Sequence, residues 1–362
     1  MQEIIFAHNE DKGKIFLEKL RGKEPLFVCV LGTTETAKIQ GLSAAGKNPE
    51  LTDFTPPADV ELLLLGKCKC IQGVPMTPEG IPTPAIITRA ALSLGKIPTL
   101  VVNGGLRIKP HVPFVELGGK PGKDIRSGKA VENASAVVEK AEILGETLAD
   151  VADYLVIGES IPGGTTTALG ILTVMGIEAK GKMSSSMPNN PHELKTKVVE
   201  EAMKASNLKF GDLATDPINA ITHLGDPMMP AFSGLVIGAA SNVPVLMAGG
   251  TQMAAILAIV KALKPEVLGN VAIATTRWIV NDSKADLKGL VSQIADAPIM
   301  AINLNFTQSR FEGLRAYEEG AVKEGVGAGG ACIAAVLKSN FSIKVEDLFM
   351  EIERIYNEEL LT

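Results

Sequence analysis

A carboxylate and a run of glycines and threonines stand together in one short segment: Glu159, Gly163, Gly164, Thr165 and Thr166. Two adjacent glycines permit a tight turn. The threonines suit the start of a helix, where free N–H groups and the helix dipole attract an anion, at about 0.3–1 kcal/mol per contact. The segment therefore predicts a site for a ligand phosphate, with an ordinary capped strand-to-helix turn as the alternative. Since a carboxylate repels a phosphate, Glu159 is expected to contact another part of the ligand.

Glu324 precedes a second glycine-rich segment, Gly325-x-Gly327-x-x-Gly330. In form this segment matches the dinucleotide-binding fingerprint. However, polar and helix-like residues precede it where a buried strand is required, and no acidic residue ends a second strand about twenty positions later. An NAD-dependent oxidoreductase is therefore disfavoured. Glu324 itself stands before a helix of small residues, where partial burial would raise its carboxyl pKa toward that of a general base.

A polar loop at residues 122–135 is a further candidate for binding an anion. It contains Arg126, Ser127, Lys129 and Asn133, whose side chains donate hydrogen bonds to phosphate or carboxylate oxygens. The same composition is typical of a solvated surface loop. Both interpretations therefore stay open.

The sequence predicts neither a metal site nor a cofactor. The four cysteines, Cys29, Cys68, Cys70 and Cys332, do not form two spaced pairs, and we interpret them as reduced thiols. Cys68 and Cys70 would make half of a metal clip without a second half, and the four histidines are scattered. No apolar strand ends in paired acidic residues, as in enzymes that bind a ribose diphosphate with magnesium. Any ribosyl chemistry would therefore use another donor.

Composition and charge indicate a protein that binds small molecules. The 362 residues include 35 Lys and Arg against 41 Asp and Glu, a net charge of -6 without a dense basic run, which argues against nucleic acid as a partner. The first residues lack the apolar core of a signal peptide, so a cytoplasmic location is expected. The uncharged stretch 227–260 is interrupted by proline, serine, asparagine and glutamine, and predicts a buried helix, strand and helix rather than a membrane span.

Short apolar runs bounded by glycine or proline predict the strands that position these residues: PLFVCVLG, ELLLLG, IPTLVVNGG, ADYLVIGES, VPVLMAGG, NVAIATT and APIMAINL. Their hydrophobicity is continuous rather than alternating, so both faces of the sheet must be covered, as in a parallel sheet between helices. We predict an open, mostly parallel, doubly wound α/β sheet flanked by helices, spanning residues 25–306. Residues 1–24 and 307–362 are predicted to form a small helical subdomain from the chain termini.

Six segments resemble, in the same order, motifs of the nicotinate-nucleotide:dimethylbenzimidazole phosphoribosyltransferase family, in particular its archaeal branch. GVPMTPEGIPTPAIITRAAL is similar to the family's Gly-Val-Ser-x-x-Pro base-pocket stretch, KDIRSGKAVENAS to its Ile-Arg-x-Gly-Thr-x-Asn loop, and GESIPGGTTTALGIL to Gly-Glu-Met-Gly-Ile-Gly-Asn-Thr-Thr. GDPMMPAFSGLVIGAA, VPVLMAGGTQMAAIL and KEGVGAGGA resemble three later motifs. The resemblance covers roughly residues 70–335.

The resemblance implies a reaction in which a base nitrogen attacks the anomeric carbon of nicotinate mononucleotide, nicotinate leaves, and an α-linked riboside phosphate forms for the lower ligand of a cobamide. Glu324 would take the proton of the incoming azole, such as 5,6-dimethylbenzimidazole. Glu159 would lie near the ribose and stabilise positive charge there. Pro75 and Thr83 would line the base pocket. The donor phosphate would be held by Gly163, Gly164, Thr165, Thr166, Lys197 and Asn133. The resemblance also implies a homodimer.

Several positions depart from the family's pattern. Pro75 stands where the family has a base-pocket serine, and the family's pocket glutamine falls near Thr83 or Pro84. Gly164 replaces an asparagine, and Ala248 replaces an aspartate. The identity of the accepted base therefore stays open, and a non-catalytic nucleotide-binding or regulatory protein is the alternative function. The enzyme hypothesis requires Glu324 to lie within reach of the glycine-threonine turn.

Overall fold

The computed structural model describes residues 3–43, 45, 49–77 and 79–360. In this part of the chain the strands are β1 Ile4–His8, β2 Pro25–Gly32, β3 Thr99–Gly105, β4 Val115–Glu116, β5 Tyr154–Ser160, β6 Val245–Ala248, β7 Val271–Thr276 and β8 Ile299–Ile302. They form one open sheet in the order β1-β8-β7-β6-β5-β2-β3-β4. Neighbouring strands are parallel except β1 and β8, which are antiparallel. The predicted fold class is confirmed.

The helices are α1 Glu10–Leu20, α2 Thr55–Leu65, α3 Ala85–Gly95, α4 Ala134–Ala149, α5 Gly164–Val174, α6 His192–Ala205, α7 Pro217–Leu224, α8 Met228–Ala240, α9 Gln252–Leu263, α10 Arg277–Val280, α11 Leu287–Ile294, α12 Glu312–Arg315, α13 Ala328–Lys338 and α14 Val345–Ile355. Shorter 3-10 turns occur at Glu35–Lys38, Pro49–Phe54, Ile125–Ser127 and Pro265–Asn270, and a π-helical turn at Tyr356–Leu360.

Both faces of the sheet are buried under helices, each with its own apolar core. On β2, Val28 and Val30 point into the core shared with α4 to α9 and α11, while Phe27, Cys29 and Leu31 point into the core shared with α1 to α3, α13 and α14. Successive side chains of a strand alternate between faces. The continuous apolar strands therefore supply both cores, as predicted.

One predicted strand is a helix. The run ELLLLG belongs to α2, which begins with Thr55, Pro56 and Pro57 and ends at Gly66 in the left-handed conformation. Proline is tolerated in the first helical turn because the N–H groups there have no partner within the helix. A short apolar run alone does not separate strand from helix; here the prolines before it and the glycine after it do.

The N-terminal segment contributes a strand as well as a helix. β1 pairs with β8 at the edge of the sheet, so part of residues 1–24, predicted as helical subdomain, belongs to the sheet. From the C-terminal segment, α13 packs across β5 to β8 and α14 packs on α3. The division of the chain into the two predicted domains stays a prediction.

The uncharged stretch 227–260 folds as α8, β6 and α9, the predicted helix, strand and helix. All three elements are buried. In the described residues, each helix is too short or too polar to reach across a bilayer.

Candidate active site

A cavity of about 170 Å³ lies at the carboxyl end of the sheet. Strand β5 reaches its wall at Ser160, and the loops that follow β6 and β7 contribute residues 250–252 and Ile279. Other parts of the wall include residues 81–84 and 324–326. Ligands of open α/β sheets bind at this end because the loops that follow the strands converge there.

The glycine-threonine turn after β5 forms part of the cavity wall. Gly163 has a φ of 79°, in the left-handed region that favours glycine, and a Cβ there would lie 3.1 Å from the Cα of Ala37. Helix α5 begins at the next residue, Gly164, so its N-terminal end points toward the cavity. Gly163, Gly164 and Thr165 line the cavity, whereas the fully buried side chain of Thr166 does not.

Glu324 lines the same cavity and is otherwise enclosed by protein. Its carboxylate accepts hydrogen bonds from the N–H groups of Gly325 (3.2 Å) and Gly329 (3.2 Å) and from the hydroxyl of Thr275 (3.4 Å). Burial raises the pKa of the Glu324 carboxyl to about 7, against the opposing effect of these donors. A carboxyl with this pKa exchanges protons readily near neutral pH. This position and pKa suit a general base.

Glu159, the second carboxylate of the cavity, is almost fully buried at the end of β5. Burial raises its pKa well above the ordinary value, and the neighbouring carboxylates of Asp226 and Glu324 raise it further; the N–H of Ile161 acts in the opposite direction. The protonated form of the Glu159 side chain is therefore more favoured here than in an exposed glutamate. In that form it donates a hydrogen bond as well as accepting one.

Main-chain contacts join the segments that carry Glu159 and Glu324. The N–H of Val326 donates to the carbonyl oxygen of Glu159 at 2.9 Å. A Cβ added to Gly158 would lie 2.8 Å from the Cα of Gly327, so the two backbones touch with no side chain between them. The spacing of the two carboxylates is thus set by the backbone.

A third carboxylate, Asp59 on α2, lies in the wall and was missed by sequence analysis. The hydroxyl of Thr83 donates to its Oδ1 and the hydroxyl of Ser160 to its Oδ2, each at 2.7 Å. Burial raises the pKa of Asp59 to about 6. Pro75 and Thr83, the predicted base-pocket residues, line the cavity on this side. Asp59 stands two residues before the run ELLLLG, which the sequence predicted as a strand, and no local pattern marks it as a site residue.

Lys195 on α6 lies behind the wall residues 184–186. It is fully buried, and its Nζ donates to the carbonyl oxygen of Ser184 (2.6 Å) and to Oδ1 of Asn190 (3.2 Å). Burial and the nearby cation of Lys323 lower the pKa of Lys195 to about 7, against the opposing effect of the Asp282 carboxylate. Both of these acceptors are neutral. A ligand anion at this wall would therefore be attracted to Lys195.

Seven of the ten predicted site residues line the cavity: Pro75, Thr83, Glu159, Gly163, Gly164, Thr165 and Glu324. Thr166 is buried beneath the turn. Lys197 lies on the exposed face of α6, and Asn133 is an exposed residue at the start of α4. The structure does not bring Lys197 or Asn133 to the cavity, and it places Lys195 nearer than Lys197. Helical periodicity was the signal, because Lys195 shares a face with the buried Val198, Val199 and Ala202.

Among the residues that the structure describes, no group of three or more His, Cys, Asp or Glu side chains is arranged to hold a metal ion. The Sγ of Cys68 donates to the carbonyl oxygen of Ala58 at 3.4 Å, and burial raises the pKa of this thiol to about 12. Burial also raises the pKa of Cys70. Both cysteines are therefore protonated thiols at neutral pH.

Comparison with known proteins agrees with this geometry. A phosphoribosyltransferase family model matches residues 99–278. A UPF0284 protein of Sulfolobus acidocaldarius is 47% identical over 348 residues, covering 94% of this chain and 98% of the relative. A UPF0284 protein of Methanothermobacter thermautotrophicus is 42% identical over 346 residues, covering 94% and 95%. The chain belongs to this archaeal branch of the phosphoribosyltransferase family. The resemblance inferred from the sequence is confirmed.

Two solved structures resemble the structure of this chain. The nicotinate-nucleotide-dimethylbenzimidazole phosphoribosyltransferase of Thermus thermophilus superposes with a TM-score of 0.60 at 13% identity, covering 94% of this chain and 91% of that one. A second structure, CobT from the same organism, has a TM-score of 0.56 at 14% identity and covers 92% of each chain. At this identity the match confirms the fold.

Proposed function

We propose that this phosphoribosyltransferase transfers the ribose phosphate of nicotinate mononucleotide onto 5,6-dimethylbenzimidazole or a related base, giving an α-riboside phosphate for cobamide lower-ligand assembly. The observation that carries the proposal is that Glu324 and the turn at Gly163 line one cavity, although 161 positions separate them in the sequence. The proposal rests also on the family and on the fold shared with the Thermus enzyme.

On the donor side, the phosphate of the mononucleotide is placed against the first turn of α5. Gly163 and Gly164 let the phosphate approach the backbone, and the helix N-terminus favours its negative charge. Lys195 adds positive charge from behind the wall at Ser184 and takes the part that sequence analysis predicted for Lys197. An anion near Lys195 favours its charged form and so raises its pKa again.

On the acceptor side, Glu324 receives the proton of the azole N–H. The azole nitrogen forms a bond to the anomeric carbon as the bond from that carbon to the nicotinate nitrogen breaks. The bonding electron pair moves to the pyridine ring, which loses its positive charge, and nicotinate leaves. Attack from the face opposite the leaving group inverts the anomeric centre and gives the α product. General-base catalysis of this kind contributes about 10²- to 10⁴-fold in rate.

Glu159 is placed at the ribose. Its carboxyl oxygens accept hydrogen bonds from the ribose hydroxyl groups of the bound donor. Positive charge that develops at the anomeric carbon is attracted to these oxygens, which stabilises the oxocarbenium-like transition state, as carboxylates do in glycoside hydrolysis.

The test is release of nicotinate, followed by liquid chromatography, from nicotinate mononucleotide and a panel of benzimidazoles and purines. We expect release with at least one base, and its loss in Glu324→Gln, with mononucleotide binding retained in calorimetry. Glu319→Gln, an exposed carboxylate five positions away, is the matched control and should keep full activity. No release with any base contradicts the proposal.

Binding of the mononucleotide without turnover would instead support a nucleotide-binding or regulatory protein. A cytoplasmic location, a homodimer and a reaction without metal or cofactor stay predictions. Sedimentation of the purified protein and an assay in the presence of EDTA test the last two.

A further inference from the structure

The carboxylate of Asp59 lies in the cavity wall next to the predicted base pocket. It is 2% exposed and is held between Thr83 and Ser160, each of which donates one hydroxyl hydrogen bond to it. Within the described part of the chain, no lysine, arginine or histidine forms an ion pair with it. The cavity therefore presents a buried carboxylate that lacks a cationic partner.

This carboxylate has acceptor capacity left. Two carboxylate oxygens accept about four hydrogen bonds, and the two hydroxyls use two of them. Because a buried carboxylate is costly unless its oxygens are hydrogen-bonded, a ligand that brings a further N–H or O–H group gains more here than it would in water.

Asp59 and Glu324 line the same cavity, and residues next to each of them are in contact. Thr83, which binds Asp59, is followed by Pro84, and a Cβ on Gly325 would lie 3.2 Å from Cγ of Pro84. Ser160, the other partner of Asp59, directly follows Glu159, whose carbonyl oxygen binds Val326. A planar base whose ring N–H points to Glu324 would therefore have Asp59 within the same pocket.

We propose that Asp59 determines which base is accepted, by taking a hydrogen bond from an exocyclic N–H or O–H group of that base. The inference rests on the proposed function and refines its acceptor. A base with two donors, one on the azole ring for Glu324 and one outside it for Asp59, fits this wall. The methyl groups of 5,6-dimethylbenzimidazole leave the Asp59 carboxylate without a further donor, so that base is a poorer acceptor.

A purely structural role for Asp59 makes a different prediction. If its carboxylate only holds Thr83 and Ser160 in place, its loss weakens the reaction with every base to a similar degree. If it contacts the base, its loss changes the ratio between two bases of equal size that differ only in the donor group. The ratio is therefore the measurement that separates the two roles.

The experiment compares kcat/KM for matched pairs in the wild-type protein: 5-aminobenzimidazole against 5-methylbenzimidazole, and adenine against 6-methylpurine. A hydrogen bond to a charged acceptor predicts a preference of about 10- to 150-fold for the amino member of at least one pair. Equal rates, or a preference for the methyl members of both pairs, overturn the inference without any variant. No nicotinate release with any base overturns the proposed function and this inference with it.

The variants then assign a measured preference to Asp59. In Asp59→Asn and in the smaller Asp59→Ser, which keeps a hydroxyl for Thr83 and Ser160, the amino-to-methyl ratio should fall by about tenfold or more. Asp226→Asn is the matched control, because Asp226 is a buried carboxylate with a hydroxyl partner, Thr167, but does not line the cavity. The amino-to-methyl ratio of Asp226→Asn should equal that of the wild type, even if its overall rate differs. If an Asp59 variant folds and its amino-to-methyl ratio equals that of the wild type, the inference is overturned and the proposed function still stands.

Discussion

Replacing Glu324 by glutamine should remove activity and stabilise the fold. Both effects follow from the loss of one buried, ionisable carboxyl group. Burial raises the pKa of this carboxyl from 4.5 to about 7. The folded protein therefore binds that proton more tightly than the unfolded chain does, so stability falls as the pH rises from about 4.5 to about 7 and stays lower above that. At about 1.4 kcal/mol per pKa unit, the ionised carboxyl costs at most about 3 kcal/mol at pH 8.

Glutamine carries no charge, so Glu324→Gln should gain up to that amount at pH 8 and about nothing at pH 4. For a chain of 362 residues this corresponds to about 4 °C in the thermal midpoint. The gain is an upper limit, because the glutamine carbonyl oxygen can replace only one carboxylate oxygen, and the amide nitrogen donates where Oε2 accepted from Thr275 and Gly329.

Differential scanning calorimetry of the wild type and the variant at pH 4, 6 and 8 measures the gain. Glu319→Gln, on the exposed surface of the same segment, should show no pH-dependent gain. A difference between the midpoints of wild type and Glu324→Gln that stays the same from pH 4 to pH 8 would mean that the Glu324 carboxyl has an ordinary pKa. The argument for it as a general base tuned to neutral pH would then be refuted.

Three further expectations follow from the same geometry. The kcat/KM for the base should rise with pH up to about 7 and then level off, since Glu324 must be ionised to accept the proton; a flat profile from pH 5 to 8 contradicts this. Gly163→Ala should cost about 1–2 kcal/mol of stability and weaken mononucleotide binding in calorimetry, because the residue is left-handed and faces Ala37; unaltered binding would remove the turn from the donor site. Lys195→Met should raise the KM for the mononucleotide by about tenfold or more. Lys197→Met, on the exposed face of the same helix, should not change the KM, and equal effects of the two substitutions would contradict a specific role of Lys195.

The parallel sheet could be predicted from the sequence because strands buried on both faces consist almost entirely of apolar residues. The residues of ELLLLG alone could not show that this run is a helix, since four leucines fit a strand as well as a helix. The preceding Pro56 and Pro57 favour the helix. Strand β1 was missed because five residues at the sheet edge, only one of them fully buried, carry a weak pattern.

Most of the candidate site could be predicted because its residues lie in motifs next to glycine turns. Lys197 was predicted from a family lysine at the start of the corresponding helix. Lys195 lies two positions earlier, and two positions along a helix rotate a side chain by about 200°, here from the buried face to the exposed one. Asp59 lies outside the segments that carry the family resemblance, so its place in the wall depends on the tertiary contacts of α2 with the rest of the fold. A tertiary contact of this kind leaves no local pattern in the sequence.

The contact between Gly158 and Gly327 limits how this enzyme can be altered. A side chain at either position cannot escape by choosing another rotamer, because its Cβ alone would lie within 3 Å of the opposing Cα. Any methyl group introduced there must push β5 and the start of α13 apart, and with them the segments that carry Glu159 and Glu324. Substitutions meant to change the accepted base therefore have to leave both glycines in place.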